Sequence, residues 1–184
     1  MDARPTALVV GLYLAACGLL PSLAWGQSGS KPPQDLAVNP IGKVLTVTGI
    51  AHIEHPATIL VQANLPTTGD APTKTGDLVY RGDVIQTGAD GALSVTFADG
   101  SSFNVSSNAR MTVDDFVYDP NGHSNSSLMS LTKGTFTFIA GNVAHTGDMK
   151  VNTPVGTMGI RGTAPRVEIL DDGTVRFSTL VEQK

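Results

Sequence analysis

From Gly42 onward the chain alternates apolar and polar residues in short runs, the period-two pattern of strands with one buried face. Residues 43–49 alternate and are rich in β-branched side chains. Residues 51–54 read as their partner strand. Residues 56–75, with several Pro and Thr, read as an irregular insertion. The most regular stretch follows. Residues 83–87 form a short strand, Asp90-Gly91 a turn, and Leu93, Val95 and Phe97 then alternate with Ser94, Thr96 and Ala98. Asp99-Gly100 turns the chain into a return strand carrying Phe103 and Val105, because Asp and Gly tolerate positive φ in tight hairpins. The apolar set is expected to face a core and the Ser/Thr set water. Met111 and Val113 continue the pattern. Residues 119–122 are a strong turn, and the polar run to Ser127 a loop. Residues 128–131, a run beginning at Gly134, residues 150–153 and residues 157–160 are further strands. A last hairpin spans 166–179 around Asp171-Asp172-Gly173. No span after the first twenty-six residues keeps a helical period. The pattern predicts an all-β domain, a many-stranded antiparallel sandwich or a β-solenoid-like stack.

The start of the chain is different. Arg4 precedes an apolar run from Ala7 to about Leu20, Pro21 breaks it, and the small residues Ala24 and Gly26 precede Gln27. This is the positive, apolar and small-residue order of a secretory signal, so residues 1–26 are expected to be a signal helix cleaved between Gly26 and Gln27. A second reading takes Leu14-Ala15-Ala16-Cys17 as a lipobox with lipidation at Cys17, although residues 18–25 stay apolar. A third leaves the run as an uncleaved anchor. Each puts the domain outside the cytoplasmic membrane, in the periplasm or at the cell surface. Residues 27–41, polar with Gly, Ser and Pro, read as a flexible linker, and residues 42–184 as the β domain.

Composition narrows the function classes. Charged residues make up 15% and apolar ones 41%, a globular rather than a disordered balance. The net charge is −4 with no Lys/Arg run, which argues against nucleic acid as a partner. A single Cys excludes an internal disulfide and a Cys-cluster zinc site.

Candidate chemistry is sparse. His52, Glu54 and His55 are close in sequence, but on a strand 52 and 54 share a face while 55 points away, and His123 and His145 fall in loops. No metal and no cofactor is expected. Asp114 and Asp115, being adjacent, face opposite sides of a strand and make no acid/base dyad. Asp171-Asp172-Gly173 lacks the other ligands of a calcium loop and reads as a turn. Ser101, Ser102, Ser106, Ser107, Ser126 and Ser127 lie in no nucleophile elbow. The Gly-rich run at 156–162 has no Walker Lys. Arg161, between Gly159 and Gly162, is either a contact for an anion or a partner, or a fork tying the carbonyls of neighbouring turns. No catalytic residue is expected, and the chain reads as a non-enzyme.

Several of these segments fall in one order. Gly82-Asp83 through Thr87-Gly88 is followed by Asp99-Gly100-Ser101, then Leu131-Thr132-Lys133-Gly134, then Thr153-Pro154-Val155-Gly156 and Arg161-Gly162-Thr163. The combination resembles the FecR domain family over residues 76–170. That resemblance implies a β-rich domain on the far side of the cytoplasmic membrane. It also implies kinship with regulators that relay an iron-siderophore signal from an outer-membrane transporter to a sigma factor. The six residues ahead of the apolar run are too few for a sigma-binding segment. The expected role is therefore a binding module for an envelope protein or polymer. The alternative is an accessory part of an iron or stress signal relay without its own anti-sigma segment.

Overall fold

The structure is a computed structural model, and residues 39–63, 71–162 and 165–179 are described. The expected signal helix, its Gly26/Gln27 cleavage point and Cys17 lie outside the described residues, as does most of the 27–41 linker. The domain's pairing starts at Ile41, whose N–H donates to the Val79 carbonyl.

Strands make up more than half of the described chain and fall into two hydrogen-bonded groups. The first runs β3 (Leu78–Val79), β1 (Gly42–Thr48), β5 (Ala92–Phe97), β6 (Ser102–Val105), the C-terminal half of β8 (Asn125–Ile139), β11 (Pro165–Ile169) and β12 (Val175–Thr179). The second runs β2 (Ala51–Glu54), β4 (Val84–Thr87), β7 (Arg110–Val117), the N-terminal half of β8, β9 (Gly147–Thr153) and β10 (Gly156–Ile160). Every pairing is antiparallel except β8 with β9. One core lies between the groups, with Val95, Phe103, Phe136, Phe138 and Val167 from the first and Ile85, Met111, Met129 and Val151 from the second. The two groups share this one core and, joined through β8, make one nearly closed, mostly antiparallel sheet.

β8 joins the halves. Residues 125, 127, 129 and 131 are buried, then the phase slips and 136 and 138 are buried instead. The slip contains an extra residue opposite β7 between Arg110 and Met111, and Gly134 at φ 101°. A Cβ on Gly134 would stand 2.3 Å from the Ala109 Cβ, so the strand can change sheets there only with glycine.

Hairpins form at Asp99-Gly100, at 119–122, at Pro154-Val155 and at 171–173. The turn expected at Asp90-Gly91 is present, the Gly91 N–H donating to the Gly88 carbonyl; it joins strands of different groups, and Gly91 is needed because a Cβ there would stand 2.1 Å from the Ile50 carbonyl oxygen. Three expectations need correction. β2 pairs with β4, not with β1, which bonds β3 and β5. Residues 56–75 include a short helix, α1 (Ala57–Gln62), and a second, α2 (Asn142–Thr146), follows β8. The polar run before Ser127 is already strand: Asn125 and Ser127 are buried and begin β8.

Candidate functional site

The motif residues bind the fold to itself. Asp99 is buried; its Oδ1 accepts from the Ser101 N–H and hydroxyl, and its Oδ2 accepts from the Val143 N–H, 3.1 Å away, at the start of α2. Thr87 Oγ1 donates to the Ser106 carbonyl and accepts from the Ala109 N–H. Asn125 accepts from the Asp119 N–H and donates to Thr146 Oγ1. Thr153 Oγ1 donates to the Gly156 carbonyl across the β9–β10 turn. Asp99, Thr87 and Asn125 are buried, where an unpaired polar group would be costly, and all three are paired.

Asp83 differs, because one of its partners faces a cavity. It sits just before β4 and is fully buried. Its Oδ2 accepts from the Tyr80 N–H at 2.8 Å, and its Oδ1 lies 2.9 Å from His55 Nδ1. Burial pushes its carboxyl above the usual value, opposed by the Tyr80 N–H and by His55. The His55 and Tyr80 rings meet edge to face at 5.6 Å. His55, Tyr80, Ile53, Pro72 and Leu78 line a cavity of about 420 Å³, with Thr73, Lys74 and Asp77 also on its wall. Asp83 stands behind His55 and does not line the cavity.

The other residues singled out by sequence lie apart. Glu54 accepts from Gln86 Nε2 and lies 4.0 Å from Arg110, on the outer side of β2. His52 Nδ1 is buried without a hydrogen-bond partner. His55 is bound to Asp83, so the three are not assembled as a ligand set, and among the described residues no group of three candidate ligands converges. Asp114 and Asp115 do not straddle the strand. The register shifts between Val113 and Asp115, which makes Asp114 an extra, exposed residue, and Asp115 lies 3.6 Å from Arg81. In the last hairpin the Thr174 N–H donates to Asp172 and holds its carboxyl below the usual range. Arg161 is exposed just past β10, and its neighbour Gly162 lies against the imidazole of His145. The His55–Asp83 pair was missed by sequence reasoning. Its signal was the β2–β4 register: Glu54 pairs with Val84, so the next position on each strand sets His55 opposite Asp83.

The described residues thus form a mostly antiparallel β domain in which Asp83, Asp99, Thr87 and Asn125 hold neighbouring backbone in place, while the segments 153–156 and 161–162 lie at its surface. Residues 83–181 match the family model described as FecR protein, and the chain belongs to the FecR family. The match begins at Asp83 and takes in the whole final hairpin, a little C-terminal of the 76–170 expected. No curated protein matches the chain, and no solved structure does.

Proposed function

We propose that this chain is a non-enzymatic, exported FecR-like module that binds a protein or a cell-envelope component. The observation that carries the reading is the family match over 83–181, which coincides with a β framework whose buried Asp83, Asp99, Thr87 and Asn125 hold backbone or neighbouring side chains in place. Export rests on the signal-like order of residues 1–26. The net charge of −4 favours a partner other than nucleic acid. Arg161, exposed beyond β10, is the proposed contact, since a guanidinium fork suits carboxylate-bearing protein or polymer. The test is fractionation of cells expressing a C-terminally tagged chain, followed by in-cell crosslinking. Envelope location and a crosslinked partner that captures the chain in return, weakened in Arg161→Glu, are the expected results. Retention in the cytosol, or repeated recovery of no partner, overturns the reading.

The family match also favours a second reading, an accessory part of a transmembrane iron or stress relay. Neighbouring genes for a sigma factor and an outer-membrane transporter, with loss of siderophore-induced transcription when this gene is deleted, would select it.

A further inference from the structure

The cavity beside His55 has the features of a small-molecule site. Its volume of about 420 Å³ lies within the range of ligand pockets, roughly 300–1,000 Å³. Ile53, Pro72, Leu78 and the Tyr80 ring give it an apolar body. Tyr80 is buried, while Leu78 is 43% exposed and marks an open side. Such pockets owe orientation and selectivity to a few fixed polar groups on an otherwise apolar wall.

His55 is that group. A fully buried carboxylate, itself fixed by the Tyr80 N–H, holds the Nδ1 edge of the ring. The side chain retains 20% exposure and lines the cavity, so the free edge of the imidazole is the Nε2 edge. A carboxylate that grips one ring nitrogen fixes the tautomer and the ring orientation. When both ring nitrogens carry hydrogen, Nδ1–H faces Asp83 and Nε2–H faces the cavity. Lys74 adds a second cationic group to the wall. The remaining acid on the wall, Asp77, accepts the Lys74 backbone N–H at 2.7 Å.

The geometry points to a binding site in this cavity for a small organic anion, an acid group on an apolar body, with the acid received at His55 Nε2. The inference goes beyond the family reading and does not depend on it. A charge-assisted hydrogen bond is stronger than a neutral one, so an anion should bind at least about ten times more tightly than an uncharged molecule of the same shape.

Two fluorescent probes separate charge from apolar contact: 8-anilinonaphthalene-1-sulfonate and its uncharged analogue N-phenyl-1-naphthylamine, each titrated into the full chain. The expected result is saturable one-to-one binding, with the sulfonate about tenfold tighter. His55→Asn keeps an N–H donor where Nδ1 stands, so Asp83 stays paired, but removes the Nε2 edge. It should reduce sulfonate affinity about tenfold and leave the uncharged probe unchanged. Leu78→Asp, at an exposed position, should weaken both probes, the sulfonate more, and it carries the test if the His55 variant does not fold. Non-saturable binding, equal affinity for the two probes, or full sulfonate binding in either folded variant overturns the site.

Discussion

At the scale of single residues, the Asp83 carboxyl is shifted in the opposite sense to that of Asp172. Removal from water favours its neutral form, and the Tyr80 N–H and His55 offset only part of that, so its folded pKa lies above 3.8. A group raised in this way contributes stability that is fully present below the unfolded value and is lost as pH rises through the folded one. Asp83→Asn removes the titration and retains an acceptor for Tyr80, while its amide can donate to His55 in the other tautomer. The variant should therefore gain on the wild type in urea unfolding as pH is raised from about 4 to about 7. A difference that stays constant with pH would refute the assignment. Asp172 has the reverse sign: held below 3.8 by the Thr174 N–H, its contribution is present above that value and lost as pH falls through its lower folded pKa. Residues of this kind were only partly legible in the sequence. Asp83 stood out within a Gly-Asp motif, but His55 lies 28 positions earlier, and nothing local links the two. Pairing β2 with β1 hid the register that sets them face to face.

At the scale of elements, local chemistry was legible and long-range partnership was not. Leu93, Val95, Phe97, Phe103 and Val105 are buried as their alternation implied, because period two alone decides which side chains share a face. Turn residues marked the hairpins at 99–100, 119–122 and 171–173 correctly, because their φ requirements are local. The same Asp-Gly signature at 90–91 marks a crossing between sheets, where the glycine admits the Ile50 carbonyl rather than a tight hairpin. Bulges were invisible for the same reason. Leu45 is an extra residue opposite β5, which leaves it 42% exposed, and that choice depends on the partner strand. Gly134 is the element-scale residue with the largest expected effect. Gly134→Ala combines a positive-φ penalty with a collision against Ala109, in a strand bonded to four others. Its expected cost is about 2–5 kcal/mol, read as a lowered urea midpoint with an unchanged slope. A loss under about 1 kcal/mol would show that β8 can change sheets without this kink.

At the scale of the whole molecule, β8 decides how the domain comes apart. Its first half is bonded to β7 and β9 and its second to β6 and β11, so neither group of strands can open without disturbing a strand of the other. The aromatic core reinforces the tie: Phe97 stacks on Phe116 of the opposite group at 5.4 Å and meets Phe103 edge-on at 5.2 Å, and Phe103 meets Phe138 at 4.5 Å. β12 lies outside this arrangement. Among the described residues it bonds only β11, and Phe177 is 50% exposed. Native-state hydrogen exchange in rising urea should therefore give one opening free energy for peptides from β5–β6 and from β7–β9, with β12 opening at lower cost. That pattern makes the two faces one cooperative unit, so a ligand seated beside β2 and β4 would protect β5 and β6 as well, since binding to the folded state alone stabilises all of it. Two opening energies differing by more than about 2 kcal/mol between β5–β6 and β7–β9 would mean that the kink at Gly134 acts as a hinge between separable halves.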